Sequence, residues 1–74
     1  MKLEFFDSDS LKSLKTSENF EYVPCIGDDL ILVLETEDKI IERSYEVVRR
    51  TVLEHSVRIF CEYTYTETIR PKNG

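Results

Sequence analysis

The sequence predicts an all-β protein of about five short strands, and three observations lead to that fold class. Residues 57–69 alternate, with six of seven odd positions apolar or aromatic and five of six even positions polar. This period of two is typical of a strand that buries one face. An aliphatic run at 30–34 follows turn-forming residues, and the chain contains no alanine, the strongest helix former.

The length of 74 residues predicts one small domain over residues 1–74. A hydrophobic content of 41% and a charged content of 34% are ordinary for a folded domain and too apolar for disorder. A chain this short buries only about 60% of its unfolded surface, so we expect a thin core. Eight aromatic side chains supply that core with large buried areas.

The first quarter of the chain predicts one strand and a long connection. Residues 2–6 alternate as an opening strand, and the Asp and Ser residues at 7–10 break it. Residues 11–17 predict a short N-terminal helical turn with Ser10 as its cap and with Leu11 and Leu14 facing inward. We therefore treat residues 7–19 as a long connection.

A proline and a glycine mark the next boundary. Phe20 and Tyr22 share one face and lead into Pro24, and a turn at Gly27 and Asp28 follows. Because residues 30–34 are all aliphatic, we expect a strand that is covered on both faces or that switches faces at a bulge.

Residues 40–54 leave two structures open. Apolar residues at helical spacing allow a helix, whereas the many β-branched and aromatic residues favour strands at about 39–42 and 45–53. We favour the strands. The inward set then changes from odd positions (Tyr45, Val47) to even ones (Val48, Val52), which predicts a β-bulge. Residues 54–56 form a tight turn into 57–69, and 70–74 are a tail.

The order of these segments resembles a known group of small proteins. The segments are Pro-Cys-Ile-Gly-Asp at 24–28, Tyr-Glu-Val-Val-Arg at 45–49 and Val-Arg-Ile at 57–59. This pattern, over residues 22–65, resembles the small SH3-like barrel proteins of bacteria and phages. The resemblance implies a partly open SH3-like barrel and assigns no site residue, since no Lys-Gly-rich RNA-binding loop or Trp-containing peptide groove is present.

The sequence lacks the residue patterns of an enzyme or a metal site, so we expect no catalytic residue, cofactor or metal. Cys25 and Cys61 are 36 positions apart, and with the single His55 they make no ligand set. We expect both cysteines to be buried free thiols. Asp28 and Asp29 are adjacent, so a turn role for them is favoured over acid–base chemistry. No apolar run resembles a signal peptide or a membrane span, which predicts a cytoplasmic protein.

Charge suggests two further hypotheses about partners. The net charge is −5: residues 1–37 hold three Lys and nine acids, and residues 38–74 hold seven Lys or Arg and six acids. This balance argues against general nucleic-acid binding. The one basic cluster, of Arg49 and Arg50 with Lys39, Arg43 and Arg58, suggests a weak nucleic-acid site through Arg43, Arg49, Arg50 and Arg58, in which Arg50 and Arg58 would share an outer face. The acidic half alternatively suggests a DNA mimic that inhibits a nucleic-acid-binding protein.

The favoured hypothesis is a non-enzymatic interaction module. Tyr63 and Tyr65 lie in the second half of the long strand, and residues 64–69 would overhang the neighbouring strands. An unpaired edge beside aromatic rings invites another chain to pair with it. We expect a protein partner or a homodimer, with Tyr63, Tyr65, Arg49, Arg50 and Arg58 as contact residues.

Overall fold

Five strands form a single mixed sheet in the computed structural model, which describes residues 2–18 and 22–73. The strands are β1 (Lys2–Asp7), β2 (Ser13–Ser17), β3 (Asp29–Glu35), β4 (Lys39–Val52) and β5 (Ser56–Pro71). Their order in the sheet is β2-β1-β5-β4-β3. Only β1 and β5 run parallel to each other. The described residues contain no helix, so the predicted all-β fold class is confirmed.

The sheet curls around one core without closing into a barrel. The buried side chains lie on its inner face, and they are Leu3, Phe5, Leu32, Tyr45, Val47, Val57, Ile59 and Cys61. The edge strands β2 and β3 approach each other, and Lys15 Nζ donates a hydrogen bond to the Val33 carbonyl at 2.9 Å. No ladder joins these two edges in the part of the chain that is described. The SH3-like resemblance stays a prediction.

Strand β5 is the centre of the sheet. Its first part pairs with β1 from Ser56 to Cys61, and it pairs with β4 as far as Pro71. The strand predicted over 57–69 is therefore confirmed. The prediction of a free tail at 70–74 is wrong for Arg70 and Pro71, which lie in the strand opposite Ile40 and Lys39. Strand β5 continues this far because β4 supplies a pairing partner up to Lys39, the first residue of β4. Residue 74 lies outside the described residues.

Strand β4 resolves the alternatives for residues 40–54 in favour of strand, and the helical alternative is wrong. One continuous strand replaces the two that were predicted, because β5 pairs with it along its whole length. The predicted β-bulge is confirmed. Val47 lies opposite Cys61 and Arg49 lies opposite Phe60, so Val48 is the extra residue.

The helical turn predicted over 11–17 is wrong, because Ser13–Ser17 form strand β2 against β1. A helix of two turns is marginal without tertiary support, whereas the edge of β1 offers a ready ladder. Leu11 takes a positive φ of 60° in the turn before the strand, while Leu14 packs against the core as expected. The connection predicted over 7–19 therefore contains a strand, and residue 19 lies outside the described residues.

Strand β3 is covered on one face only, so both expectations for 30–34 are wrong. Leu30, Leu32 and Leu34 face the core, while Ile31 and Val33 are 62% and 39% exposed. In the described residues no second layer covers the outer face of the sheet. The turn before β3 is as predicted, with Gly27 at a φ of 94°. Phe20 lies outside the described residues.

Candidate interaction surface

The second half of β5 has one open side. Strand β1 ends at Asp7, opposite Cys61, and the Ser8 N–H makes the last hydrogen bond to the Cys61 carbonyl at 2.8 Å. From residue 62 to 71 no described strand pairs with β5 on that side. The prediction that residues 64–69 overhang their neighbours is thus correct on the β1 side and wrong on the β4 side, where pairing continues to Pro71. Alternate residues of this segment turn their N–H and C=O groups to the open side.

A row of three tyrosines runs from the core to the surface at this segment of β5. Tyr45 is buried, and its ring centroid lies 5.6 Å from that of Tyr63, which lies 5.0 Å from that of Tyr65. Tyr65 is 86% exposed. Tilted ring pairs at these distances are favourable, so the buried ring positions the exposed one. The structure thus brings together Tyr63 and Tyr65, as the sequence predicted.

A bulge fixes the direction of Tyr65. Tyr45 lies opposite Tyr63 and Arg43 opposite Glu67, so three residues of β5, 64–66, face Ser44 alone. Tyr65 has a φ of 61°, a left-handed conformation that costs a residue with a Cβ atom roughly 1–2 kcal/mol. Bulges re-aim side chains and interrupt pairing, and both effects apply here.

An apolar residue and an ion pair continue the surface beyond the tyrosines. Ile69 lies opposite Ile41 and is 55% exposed. Between it and the tyrosines, Arg43 Nε donates to Glu67 Oε1 at 2.7 Å, which raises the pKa of the Arg43 guanidinium above its ordinary value. We call the open side of residues 62–71, with Tyr63, Tyr65 and Ile69, the aromatic edge.

The structure does not assemble the predicted basic cluster. Arg43 is paired with Glu67, and Arg58 Nε lies 3.5 Å from Glu4 Oε2. The expectation that Arg50 and Arg58 share an outer face is wrong. Arg50 lies opposite buried Ile59, and its Nη1 donates to the Pro24 carbonyl at 3.4 Å. The bulge at Val48 causes this, because it moves every later β4 side chain to the other face.

Arg49 is instead part of an outer aromatic cluster that the sequence argument missed. Its Cζ atom lies 5.3 Å from the Phe60 ring centroid, in cation–π geometry. The Phe60 ring stacks on Phe6 with centroids 5.5 Å apart. The available signal was that Phe60 is the one apolar residue on the polar face of residues 57–69.

Three carboxylates also lie side by side on the outer face. Glu46 is directly opposite Asp29 on β3 and opposite Glu62 on β4's other neighbour, β5. Like charges that face each other across strands are destabilising. These residues are distant in sequence, so only the strand register brings them together.

The turn before β3 depends on Asp28. Its carboxylate accepts hydrogen bonds from the Tyr22 hydroxyl and from the Cys25 N–H, the latter at 2.8 Å. Both bonds favour the ionised form and hold the pKa of Asp28 below its ordinary value of 3.8. The turn role predicted for Asp28 is confirmed.

The two cysteines differ in exposure. Cys61 is buried as predicted, and burial raises the pKa of its thiol to about 11. The expectation that Cys25 is buried is wrong, because it lies in the exposed turn before Gly27. Among residues 2–18 and 22–73, no group of His, Cys, Asp and Glu side chains is arranged to hold a metal ion.

No helix in the described ranges is long and apolar enough to cross a membrane. Comparison with known protein families, with curated proteins and with solved structures finds no match to this chain.

Proposed function

We propose that this chain is a non-enzymatic interaction module that binds a protein through the aromatic edge, and that this protein is a second copy of the chain. The observation that carries the proposal is the open side of residues 62–71, with the exposed Tyr65 ring beside it. Unpaired strand edges associate readily with other strands, and exposed aromatic rings strengthen such contacts.

The limits of the open side set the register of self-pairing. Pro71 has no N–H group, and the chain bulges at Tyr65, so a continuous ladder is confined to residues 66–70. An antiparallel pair of these segments is centred on Thr68. Glu67 then lies opposite Ile69 of the other copy, and Thr66 lies opposite Arg70. No two like charges face each other directly, and Arg43 offsets the charge of Glu67.

The other two hypotheses receive less support from the surface. A nucleic-acid site needs free cations on one face, whereas the predicted arginines are divided between two faces and two of them are ion-paired. A DNA mimic needs free carboxylates in the first half. There Asp7 and Asp28 close turns, and Glu4 and Glu35 pair with basic side chains, so only some of the first-half carboxylates, Asp29 and Glu37 among them, remain for such a role.

Light scattering after size exclusion tests the proposal across a range of protein concentrations. We expect the wild-type mass to rise to that of a dimer, and Tyr65→Gly and Ile69→Lys to stay monomeric. Tyr65→Gly removes the ring, and glycine also adopts the positive φ at this position without strain. The variant should therefore fold, and a loss of dimer would report the loss of the ring. Ile69→Lys places a charge on the edge.

Val52→Ser is the matched control, because Val52 is 69% exposed on β4 and lies outside the aromatic edge. It should dimerise like the wild type. A wild-type protein that is monomeric at every concentration would refute self-association. A dimer that survives both Tyr65→Gly and Ile69→Lys would refute the aromatic edge as its interface.

A further inference from the structure

The outer edge of β3 is a second open edge. In the strand order, β3 and β2 are the two ends of the sheet. Strand β3 pairs with β4 only, and its other side faces β2 across the opening of the curled sheet. Within the described residues, Lys15 Nζ donates a hydrogen bond across this opening to the Val33 carbonyl. A side chain, and no backbone ladder, therefore spans this opening.

The direction of the backbone groups on β3 follows from its flanking hydrogen bonds. The Asp28 carbonyl accepts from the Val47 N–H, and the Thr36 N–H donates to the Lys39 carbonyl. Even-numbered residues from 28 to 36 thus turn their backbone groups towards β4. Odd-numbered residues turn theirs to the open side, in agreement with the bond that Val33 accepts there. The N–H groups of Ile31 and Val33 therefore point sideways from β3 to its open side.

The space beside this edge is lined by apolar side chains together with Lys15. It has a carboxylate at each end, Asp29 and Glu35, and Glu35 Oε2 also lies 3.2 Å from Lys72 Nζ. Adjoining depressions of about 130 and 500 Å³ lie between the two strands, lined by side chains that include Phe5, Leu14, Leu30, Leu32 and Leu34. On the outer face, exposed Ile31 and Val33 stand between Asp29 and Glu35. A strand added at this edge would place one residue opposite each of these four outer-face residues of β3.

We propose that the outer edge of β3 binds an extended peptide as an added antiparallel strand with Lys or Arg at both ends. The N–H groups of Ile31 and Val33 and the Ile31 carbonyl face the open side and match a polypeptide backbone, which would also replace Lys15 at the Val33 carbonyl. Apolar residues at alternate positions enter the opening towards Leu30, Leu32 and Leu34. The terminal cations lie opposite Asp29 and Glu35, where opposite charges across strands are favourable, and at Glu35 the peptide cation competes with the exposed Lys72.

A second copy of this chain fits the same edge poorly. Antiparallel pairing of two β3 strands about Leu32 places Asp29 opposite Glu35 of the other copy, and this happens twice. Directly opposed like charges destabilise such a pair. Lys15 also protects the edge, as lysines on edge strands commonly do, and a bound peptide takes its place at the Val33 carbonyl. The charges therefore select a basic foreign strand over self-pairing.

The test uses a synthetic peptide of sequence Lys-Val-Thr-Val-Thr-Val-Lys, titrated into isotope-labelled protein at low salt. We expect the largest amide shifts at Ile31 and Val33, and slower hydrogen exchange of both amides when the peptide is bound. Replacing the terminal lysines by glutamates should weaken binding about tenfold, since two cross-strand attractions become repulsions. N-methylation of both threonines removes the donors that face β3 and should abolish binding.

Protein variants separate a backbone interaction from a general apolar one. Val33→Pro removes an N–H that points to the open side, so the ladder to β4 is kept while the edge is blocked. It should fold and lose peptide binding, whereas Val33→Thr keeps the N–H and should retain it. Lys15→Ala should bind more tightly. The double variant Asp29→Lys, Glu35→Lys should prefer the glutamate-ended peptide.

Three results would overturn the proposal: no binding of the lysine-ended peptide, equal binding of both charge forms, or binding by Val33→Pro at wild-type strength. A dimer that Val33→Pro dissociates would assign the edge to a second copy and would also overturn it. Measurements in the Tyr65→Gly background keep this surface distinct from the aromatic edge. Failure at one edge therefore leaves the other proposal standing.

Discussion

Neutralising Glu46 should stabilise the fold, because its carboxylate is the middle one of the outer acidic row. Asp29 and Glu62 lie directly opposite it on either side. Glu46→Gln keeps the length and the polarity of the side chain and removes two repulsions. Glu62→Gln removes one. We therefore expect Glu46→Gln to stabilise the protein about twice as much as Glu62→Gln.

The size of the effect follows from the spacing of paired strands. Two carboxylates about 6 Å apart at the surface repel by about 0.7 kcal/mol in water without salt. An ionic strength of about 0.1 M, with a screening length of about 10 Å, reduces this to about 0.4 kcal/mol. Glu46→Gln should then gain about 0.8 kcal/mol. For a domain of this size, that gain corresponds to a rise in melting temperature of roughly 3–6 °C.

Urea unfolding at low and high salt provides the assay, with Glu37→Gln as the control because Glu37 lies in the exposed turn between β3 and β4. In about 1 M salt the screening length falls to about 3 Å, so the gain should nearly vanish. The double variant of Glu46 and Glu62 should gain less than the sum of the single variants. Destabilisation by Glu46→Gln, or a gain that is independent of salt, would refute the reasoning.

Three further predictions concern the core, the thiols and the turn before β3. Phe5→Ala should cost about 3–5 kcal/mol in chemical denaturation, against a total stability of roughly 4–11 kcal/mol for a chain this long, because Phe5 is buried on the inner face. A thiol reagent should modify Cys25 in the native protein and Cys61 only during unfolding, since burial raises the pKa of the Cys61 thiol to about 11; equal rates for both would contradict this. The pKa of Asp28 is lowered in the fold, so its stabilising contribution is present above the ordinary value of 3.8 and is lost as the pH falls through the folded value. The melting temperature of Asp28→Asn should consequently fall less between pH 7 and pH 3 than that of the wild type. An equal fall in the two proteins would count against this role of Asp28.

The local patterns predicted most of the strands for a physical reason. A strand with one buried face must alternate its side chains, and residues 57–69 do so wherever they lie in the sheet. The change of inward positions after Val47 likewise revealed the bulge at Val48. Two of the wrong predictions, a helical turn at 11–17 and a doubly covered strand at 30–34, concern edge strands. Their structure depends on what lies beside them, which no local pattern records.

The candidate surfaces were predictable only in part. Tyr63 and Tyr65 are two positions apart, so their common neighbourhood follows from the strand alone. Arg50 was misplaced although the bulge was predicted, since the extra residue at Val48 puts Arg50 opposite Ile59 on the inner face and Arg49 opposite Phe60 on the outer face. Phe6 and Phe60 stack only because β1 runs parallel to β5.

The sequence alone determined that this chain is all-β, where its longest strand lies and that its tyrosines stand near the end of that strand. The tertiary structure decided which strands are neighbours, and therefore which edges stay open. Periodicity is a local property of the chain, whereas a strand's partner and register arise from contacts between distant residues. For this reason the aromatic edge could be anticipated, while the acidic row and the open edge of β3 emerged only once the sheet was assembled.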